Sequence, residues 1–353
     1  MSIKVLSKIL FFNLIACLIF ALILEAIFNL LPTSDSEQTQ AVNASNPYLH
    51  LVPNARLRIT SGPFFEYNSI KRTNNFGYFS DIDYSENGAG KNLIVIGSSL
   101  VTANQVANEA SFHGLLNLKL NRNGQLYMLA GANAPQSQYL AYSKLALEKF
   151  NPYALIFVIG SVDFRGSLLI NALPNSGYHY FTNGDESGLL TLTDYYPSRT
   201  KELLRRSAFA RYLFLNARVQ GINFRQNVSS AVAPASRFAD NQNLALIEKF
   251  LSALEALADG MPVLLVIDSL NQSERSANAT VPRDMENAKR HLVDRARSFG
   301  FEVLDLSPFF VEDFKVNGRR FEWINDGHWN SDGHRVVASA IERSSVYQSF
   351  LRQ

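Results

Sequence analysis

Five short apolar runs constrain this chain more than any other feature: "NLIVIG" from Asn92, "QLYMLA" from Gln125, "ALIFVIG" from Ala154, "PVLLVID" from Pro262 and "FEVLDL" from Phe301. They are aliphatic on consecutive positions rather than alternate ones, which is the pattern of strands covered on both faces. The segments between them carry the longer helical period. "LALIEKFLSALEALA" from Leu244 repeats its apolar residues at three and four and stops at Asp259 and Gly260, and "MENAKRHLVDRARSFG" stops at Gly300. Strands alternating with helices predict a three-layer α/β/α sandwich on a mainly parallel five-stranded sheet, with ligands at the carboxyl ends of the strands. At 353 residues and 47% apolar content the chain can bury such a core.

A second constraint lies at the N-terminus. "KILFFNLIACLIFALILEAIFNLLP" holds about 23 nearly continuous apolar residues behind Lys4 and Lys8, the length of a bilayer crossing. Residues 1–31 therefore read as an uncleaved transmembrane anchor, in the membrane from Ile9 to Leu31. The run is too long for a cleaved signal peptide and lacks an evident cleavage site. "LIAC" before Leu18 has the form of a lipoprotein box, but the residues after Cys17 stay apolar, which favours a cysteine within the span. Lysines before the span and Asp35 and Glu37 after it place the N-terminus in the cytoplasm and the rest in the periplasm or outside the cell. Glu25 is an ionisable group inside the span. It reads either as a partner for another helix or, more simply, as a carboxylate reaching the outer interface.

Residues 32–47, with "TSDSEQTQAVNASNP", read as a solvated linker holding the rest of the chain off the membrane. Residues 48–90 form an N-terminal extension, with a strand at "RLRIT" and an aromatic run at "PFFEYN", ahead of a main domain at 91–350. An insertion of about 77 residues, 165–241, separates the third and fourth apolar runs, longer than ordinary connections. It contains a hairpin at "YHYFTNGDESGLLTLTDYY" and a basic helix at "SRTKELLRRSAFARYLFLNARV". Arg199, Lys201, Arg205, Arg206 and Arg211 of that helix suit anionic polysaccharide or headgroups, or simply solvent. Asn-x-Ser/Thr tripeptides occur at Asn43, Asn227, Asn271 and Asn278, as they also do by chance.

A net charge of +2 argues against nucleic acid as a partner, and a single cysteine excludes an internal disulfide framework or a cysteine-based zinc site. The chemistry is carried elsewhere. In "VIGSSLV" a serine follows the first strand at the start of a helix, where a nucleophile would sit over the crevice. Alone, this stretch is as well explained by Ser98 or Ser99 capping a helix. Near the C-terminus, "INDGHWNSDGH" packs Asp326, His328 and His334 into nine residues, in a protein with six histidines, ahead of a helix starting near Val336. An Asp two residues from a His can orient the imidazole and leave its other nitrogen for a distant serine, which is the logic of a triad. A metal site is the competing reading, but three ligands in one short loop, with no second group elsewhere, seldom enclose an ion.

Together, the "GSSL" block, the "DGHWNSDGH" block and the anchored N-terminus resemble the SGNH hydrolase superfamily, also called GDSL esterases, from Asn92 to about Ala340 minus the insertion. The Asp-x-His spacing is similar to its anchored polysaccharide O-acetyltransferase branch. The resemblance implies Ser99 as nucleophile, His328 as base and Asp326 as the orienting acid, with backbone amides of Ser99 and Ala134 forming an oxyanion hole and no cofactor. Ser98 stands where Asp is usual, Ala134 at the usual Gly and Val162 at the usual Asn. Asp163 is then a supporting, structural residue, Asn133 or Gln138 a substitute donor, and His334 structural. The implied substrate is an acylated glycan or small acyl ester in the cell envelope, with a membrane-bound O-acyltransferase as partner, for which Glu25 and the anchor are contact candidates. The three departures also allow a degenerate domain that binds glycan or acts as a scaffold.

Overall fold

The computed structural model describes residues 3–87, 91–120, 124–185, 187–217, 238–268, 282–324 and 326–353. The sequons at Asn227, Asn271 and Asn278 lie outside these residues.

The five apolar runs form one parallel sheet. In chain order its strands are β3 (Asn92–Gly97), β4 (Gln125–Ala130), β5 (Pro152–Ile159), β8 (Val263–Ile267) and β9 (Glu302–Asp305), and in space they run β4-β3-β5-β8-β9. All six residues of β3 are buried, as a central strand between two helical layers requires. One layer groups α4 (Gln136–Lys149), α7 (Asn241–Ala258) and α8 (Arg283–Ser298). The other groups α3 (Phe112–Leu120), α9 (Ser307–Asn317), α10 (Ser331–Glu342) and α11 (Ser345–Phe350). The expected three-layer α/β/α sandwich is thus the fold. Helix α7 stops where its sequence suggests, with Asp259 in the left-handed conformation. Helix α10 begins earlier than Val336, because the Asn330 side chain accepts the Gly333 N–H and caps it.

The extension contributes a hairpin of β1 (Arg56–Ser61) and β2 (Tyr67–Arg72), paired antiparallel. It also covers an edge of the sheet. The Tyr84 hydroxyl accepts the Met128 N–H at 2.8 Å and donates to the Met128 carbonyl at 3.0 Å, while its ring stacks on Tyr127 at 4.0 Å. Unpaired edge groups of β4 are blunted in this way. Within the insertion, β6 (His179–Phe181) and β7 (Leu190–Leu192) form the expected hairpin.

Helix α1 (Ile3–Leu30) has 28 residues, none of them buried, and is long and apolar enough to span a membrane. At 1.5 Å per residue it extends about 42 Å, more than the roughly 30 Å hydrocarbon core. Two expectations about its outer end are corrected. Residues 33–46 are a packed segment rather than a solvated linker. Thr33, Ser34 and Val42 are buried, the Asp35 N–H donates to Arg58 O at 2.7 Å, and Val42 bridges Tyr195. The short polar stretch ends up stitched to the extension and the insertion because its backbone groups find partners there.

The basic stretch of the insertion is also not one helix. It divides into α5 (Arg199–Leu204), α6 (Ala208–Arg211) and a turn of π-helix, Tyr212–Asn216. Ser207 makes the break by accepting the Ala210 N–H, and Glu25 completes it. The Glu25 carboxylate accepts from Ser207 Oγ at 2.6 Å, Ala208 N at 2.7 Å and Phe209 N at 3.2 Å. Phe28 packs on Tyr212 with ring centres 4.3 Å apart. Glu25 is therefore committed within the chain, holding the insertion against the end of α1, rather than being held out for another protein.

Candidate active site

The turn after β3 presents two serines to different places. Glycine at 97 leaves room for Val101 Cγ2, which a Cβ there would push aside, as the chain folds into the short helix α2 (Ser99–Thr102). Ser98 is half-buried and lies beside the buried Tyr139 rather than in the cleft lining. Ser99 lines a cleft of about 680 Å³. As the first residue of α2 its N–H has no partner inside the helix, so it can donate toward the cleft.

His328 and Asp326 line the same cleft. They lie on β11 (Asp326–Trp329), which pairs with β10 (Glu322–Trp323). Successive strand side chains alternate, so residues two apart share a face, and this is why Asp-x-His works here. His328 Nδ1 hydrogen-bonds Asp326 Oδ1, and the His328 backbone N–H donates to the same oxygen at 3.1 Å. The acid's side chain is 12% exposed and the imidazole's 32%, so the carboxylate is shielded while the ring reaches the cleft. Burial alone would raise the Asp326 carboxyl. The hydrogen bonds and charge of His328, with help from Gln105, outweigh burial and hold it down at about 2. With Nδ1 committed to the carboxylate, Nε2 is the ring nitrogen left to take a proton.

The oxyanion side departs from expectation. The Ala134 N–H donates to Gly131 O at 3.1 Å, closing a turn in which Asn133 is left-handed. Ala134 is buried and does not line the cleft; Ala132 and Asn133 do. The Ala134 N–H expected to face the cleft is therefore already used within the turn. Gly131 is held close, since a Cβ would sit 2.5 Å from the Tyr178 hydroxyl. Val162 faces the core at 1% exposure, and its carbonyl accepts from Asn243 Nδ2 at 2.7 Å. Asp163 takes a two-point ion pair from Arg165, at 2.8 Å and 2.7 Å, and lies outside the cleft wall. Gln138, the other candidate donor, is fully buried and its carbonyl oxygen accepts the His179 N–H. His334 sits inside α10 away from the cleft lining, with Nδ1 accepting the Phe112 N–H at 3.3 Å.

Sequence reasoning missed the strand that backs the site. On β2 the inward residues Tyr67, Ser69 and Lys71 alternate with exposed ones. The Tyr67 hydroxyl donates to Asp326 Oδ2 at 3.4 Å. Ser69 Oγ donates to Asn104 O at 2.7 Å. Lys71 Nζ, 1% exposed, donates to Ala103 O at 2.9 Å and Val106 O at 3.1 Å. Burial pushes the Lys71 ammonium down to about 7, against the pull of Asp81, Glu37 and Glu109. Together these side chains fix the bend after Ser99, where Ala103 is left-handed. That bend carries Gln105, whose Nε2 reaches Asp326 Oδ2 at 3.2 Å, and Asn104, which holds Glu37 at 2.7 Å in the cleft wall. Burial raises the Glu37 carboxyl. A lysine on the inward face of an alternating strand was the one available signal.

No protein-family model and no curated protein matches this sequence. Among solved structures, the chain is similar to an α/β hydrolase enzyme from the metagenome of Lake Arreo, Spain, at 14% identity over 74% of this chain and 97% of that one, with a TM-score of 0.41. It is also similar to an acetyl xylan esterase, at 12% identity over 71% and 97% with a TM-score of 0.42. A salicylyl-acyltransferase from a tetracycline biosynthetic pathway matches at 10% identity over 79% of this chain and 58% of that one, with a TM-score of 0.37.

Proposed function

We propose that the protein is a membrane-anchored serine acyl-ester hydrolase or O-acyltransferase of the SGNH type, acting on acylated glycans of the cell envelope. The observation that carries this reading is the convergence of Ser99 with a hydrogen-bonded Asp326–His328 pair on one cleft. Ser99 lies 227 positions before Asp326 in the sequence, and packing alone gives no reason for the three to meet there.

In the proposed reaction, Ser99 Oγ attacks the acyl carbonyl carbon while His328 Nε2 takes the hydroxyl proton. Asp326 fixes the ring and stabilises the imidazolium. The backbone N–H of Ser99 and donors of the Ala132–Asn133 turn face the developing oxyanion, aided by the N-terminal end of α2. His328 then returns the proton to the departing sugar oxygen, leaving an ester on Ser99. Water or a second sugar hydroxyl gives its proton to His328 and attacks that ester; the bond from the acyl carbon to Ser99 Oγ breaks, and His328 returns the proton to Oγ. The polar cleft wall, with Asn104, Gln105 and Glu37, suits a hydroxyl-rich substrate.

In this reading, α1 anchors the protein with its N-terminus in the cytoplasm and the cleft in the periplasm or outside the cell, where an acyl group would come from a membrane O-acyltransferase. The test is turnover of nitrophenyl acetate by the full-length protein in detergent, with and without an oligosaccharide acceptor. Serine-dependent release of nitrophenol is expected, with acetylated sugar appearing if the enzyme is a transferase. Absence of turnover in folded protein, together with retained glycan binding, would support a scaffold domain instead.

A further inference from the structure

A second cavity, of about 370 Å³, opens where α1 ends. Its wall includes Asn29 and Leu31 from the end of the apolar helix, and the arginines Arg56, Arg58 and Arg211. Arg56 and Arg58 alternate with the buried Leu57 and Ile59 on β1, so both stand on the outward face of the hairpin. Among the described residues neither guanidinium has an ion-pair partner. Arg211 is positioned by its own bonds, with Nε donating to Ser34 O at 3.1 Å and a terminal nitrogen to Arg205 O at 2.9 Å. The one carboxylate in the wall is Asp35, which accepts the Arg58 backbone N–H at 2.8 Å and lies 3.9 Å from Arg211. Three guanidiniums against one carboxylate leave the cavity cationic.

We propose that this cavity binds the phosphate of a membrane lipid headgroup. Guanidinium forks match phosphate oxygens in geometry and charge. The lipid source follows from position. The cavity starts at the last turn of the helix that crosses the bilayer, which is headgroup depth, and its rim adds Leu31 and Ile70, the latter 43% exposed. The neighbouring hairpin tip carries Phe64, 88% exposed, beside Pro63, whose carbonyl accepts from Tyr212 at 3.2 Å. Tyr212 in turn packs on Phe28 of the span. Aromatic and cationic side chains at one level are how proteins settle at an interface. Asp35 also lines the catalytic cleft, so a lipid held here would lie beside the site. The inference rests on α1 spanning the membrane and not on the serine chemistry, so Ser99→Ala leaves it intact.

The experiment uses the full-length chain in detergent micelles and counts bound lipid by native mass spectrometry during titration with phosphatidic acid. The parallel arms are diacylglycerol of the same acyl chains and inorganic phosphate. The expected result is at least tenfold tighter retention of phosphatidic acid than of diacylglycerol, and weaker binding in high salt. Arg56→Gln with Arg58→Gln should lower that retention at least tenfold, with an unchanged melting temperature because both side chains are exposed. Arg297→Gln with Arg352→Gln, the same charge change at two exposed positions elsewhere, should leave it as it was. Equal retention by the double variant, equal binding of diacylglycerol, or inorganic phosphate bound as tightly as the lipid would each overturn the proposal.

Discussion

Strand β2 and the turn after β5 make opposite contributions to the cleft. In the turn after β5, where the resemblance read from the sequence implies an asparagine, Val162 faces the core and Asp163 is tied to Arg165. Strand β2 belongs to the N-terminal extension, yet its inward residues reach both the bend after Ser99 and the acid of the His328 pair. The difference teaches that the site is braced from the extension side.

Substitutions on each side separate the two contributions. The largest effect belongs to Asp326, the acid that β2 reaches through Tyr67. Asp326→Asn should lower kcat by about ten-thousandfold with the fold retained, as loss of the orienting acid does in a serine protease. An effect below tenfold would remove Asp326 from the triad. Next is Lys71→Met, which strips two buried carbonyls of their donor and should cost roughly 3 kcal/mol of stability. Activity measured below its lowered melting temperature should still fall, in kcat rather than KM, because the bend behind Ser99 loosens. Val162→Ala is the counterpart on the other side. It should cost about 2 kcal/mol as a core truncation and leave kcat within twofold. A large loss of kcat there, with Lys71→Met silent, would reverse the comparison.

The remaining effects come from pH. Burial and the nearby Lys71 charge push the His113 imidazole down to about 3. The unfolded chain then takes up a proton near 6.5 that the native state refuses, so stability is complete above about 6.5 and falls progressively toward 3. Asp326 adds a lower window, since its native carboxyl stays ionised to about 2 while the unfolded one protonates near 4. Stability from that source is present above about 4 and lost as pH falls through 2. Urea midpoints measured from pH 7 to 3 should decline. His113→Gln should flatten the decline above pH 4, and Asp326→Asn only below it.

The sheet and most of its helices were legible because consecutive aliphatic residues and helical spacing are local signals that tertiary packing reinforced. The meeting of Asp326 and His328 was legible from their spacing of two, although the sequence reads as a turn there and the structure has a strand, whose alternation puts both on one face. The packed stretch at 33–46 was not, since its polar residues bond partners distant in sequence, such as Arg58 and Tyr195. Nor was the division of the basic helix, which depends on Glu25 arriving from α1. The assignment to Ala134 failed because a sequence shows that an amide exists, not that the turn through Asn133 has already used it.

The most direct measurement is labelling of the full-length protein with a fluorophosphonate, followed by peptide mapping. A single adduct on Ser99 is expected, lost in His328→Ala and unaffected by Val162→Ala. A folded protein that takes no label, or takes it on Ser98, would contradict Ser99 as the nucleophile.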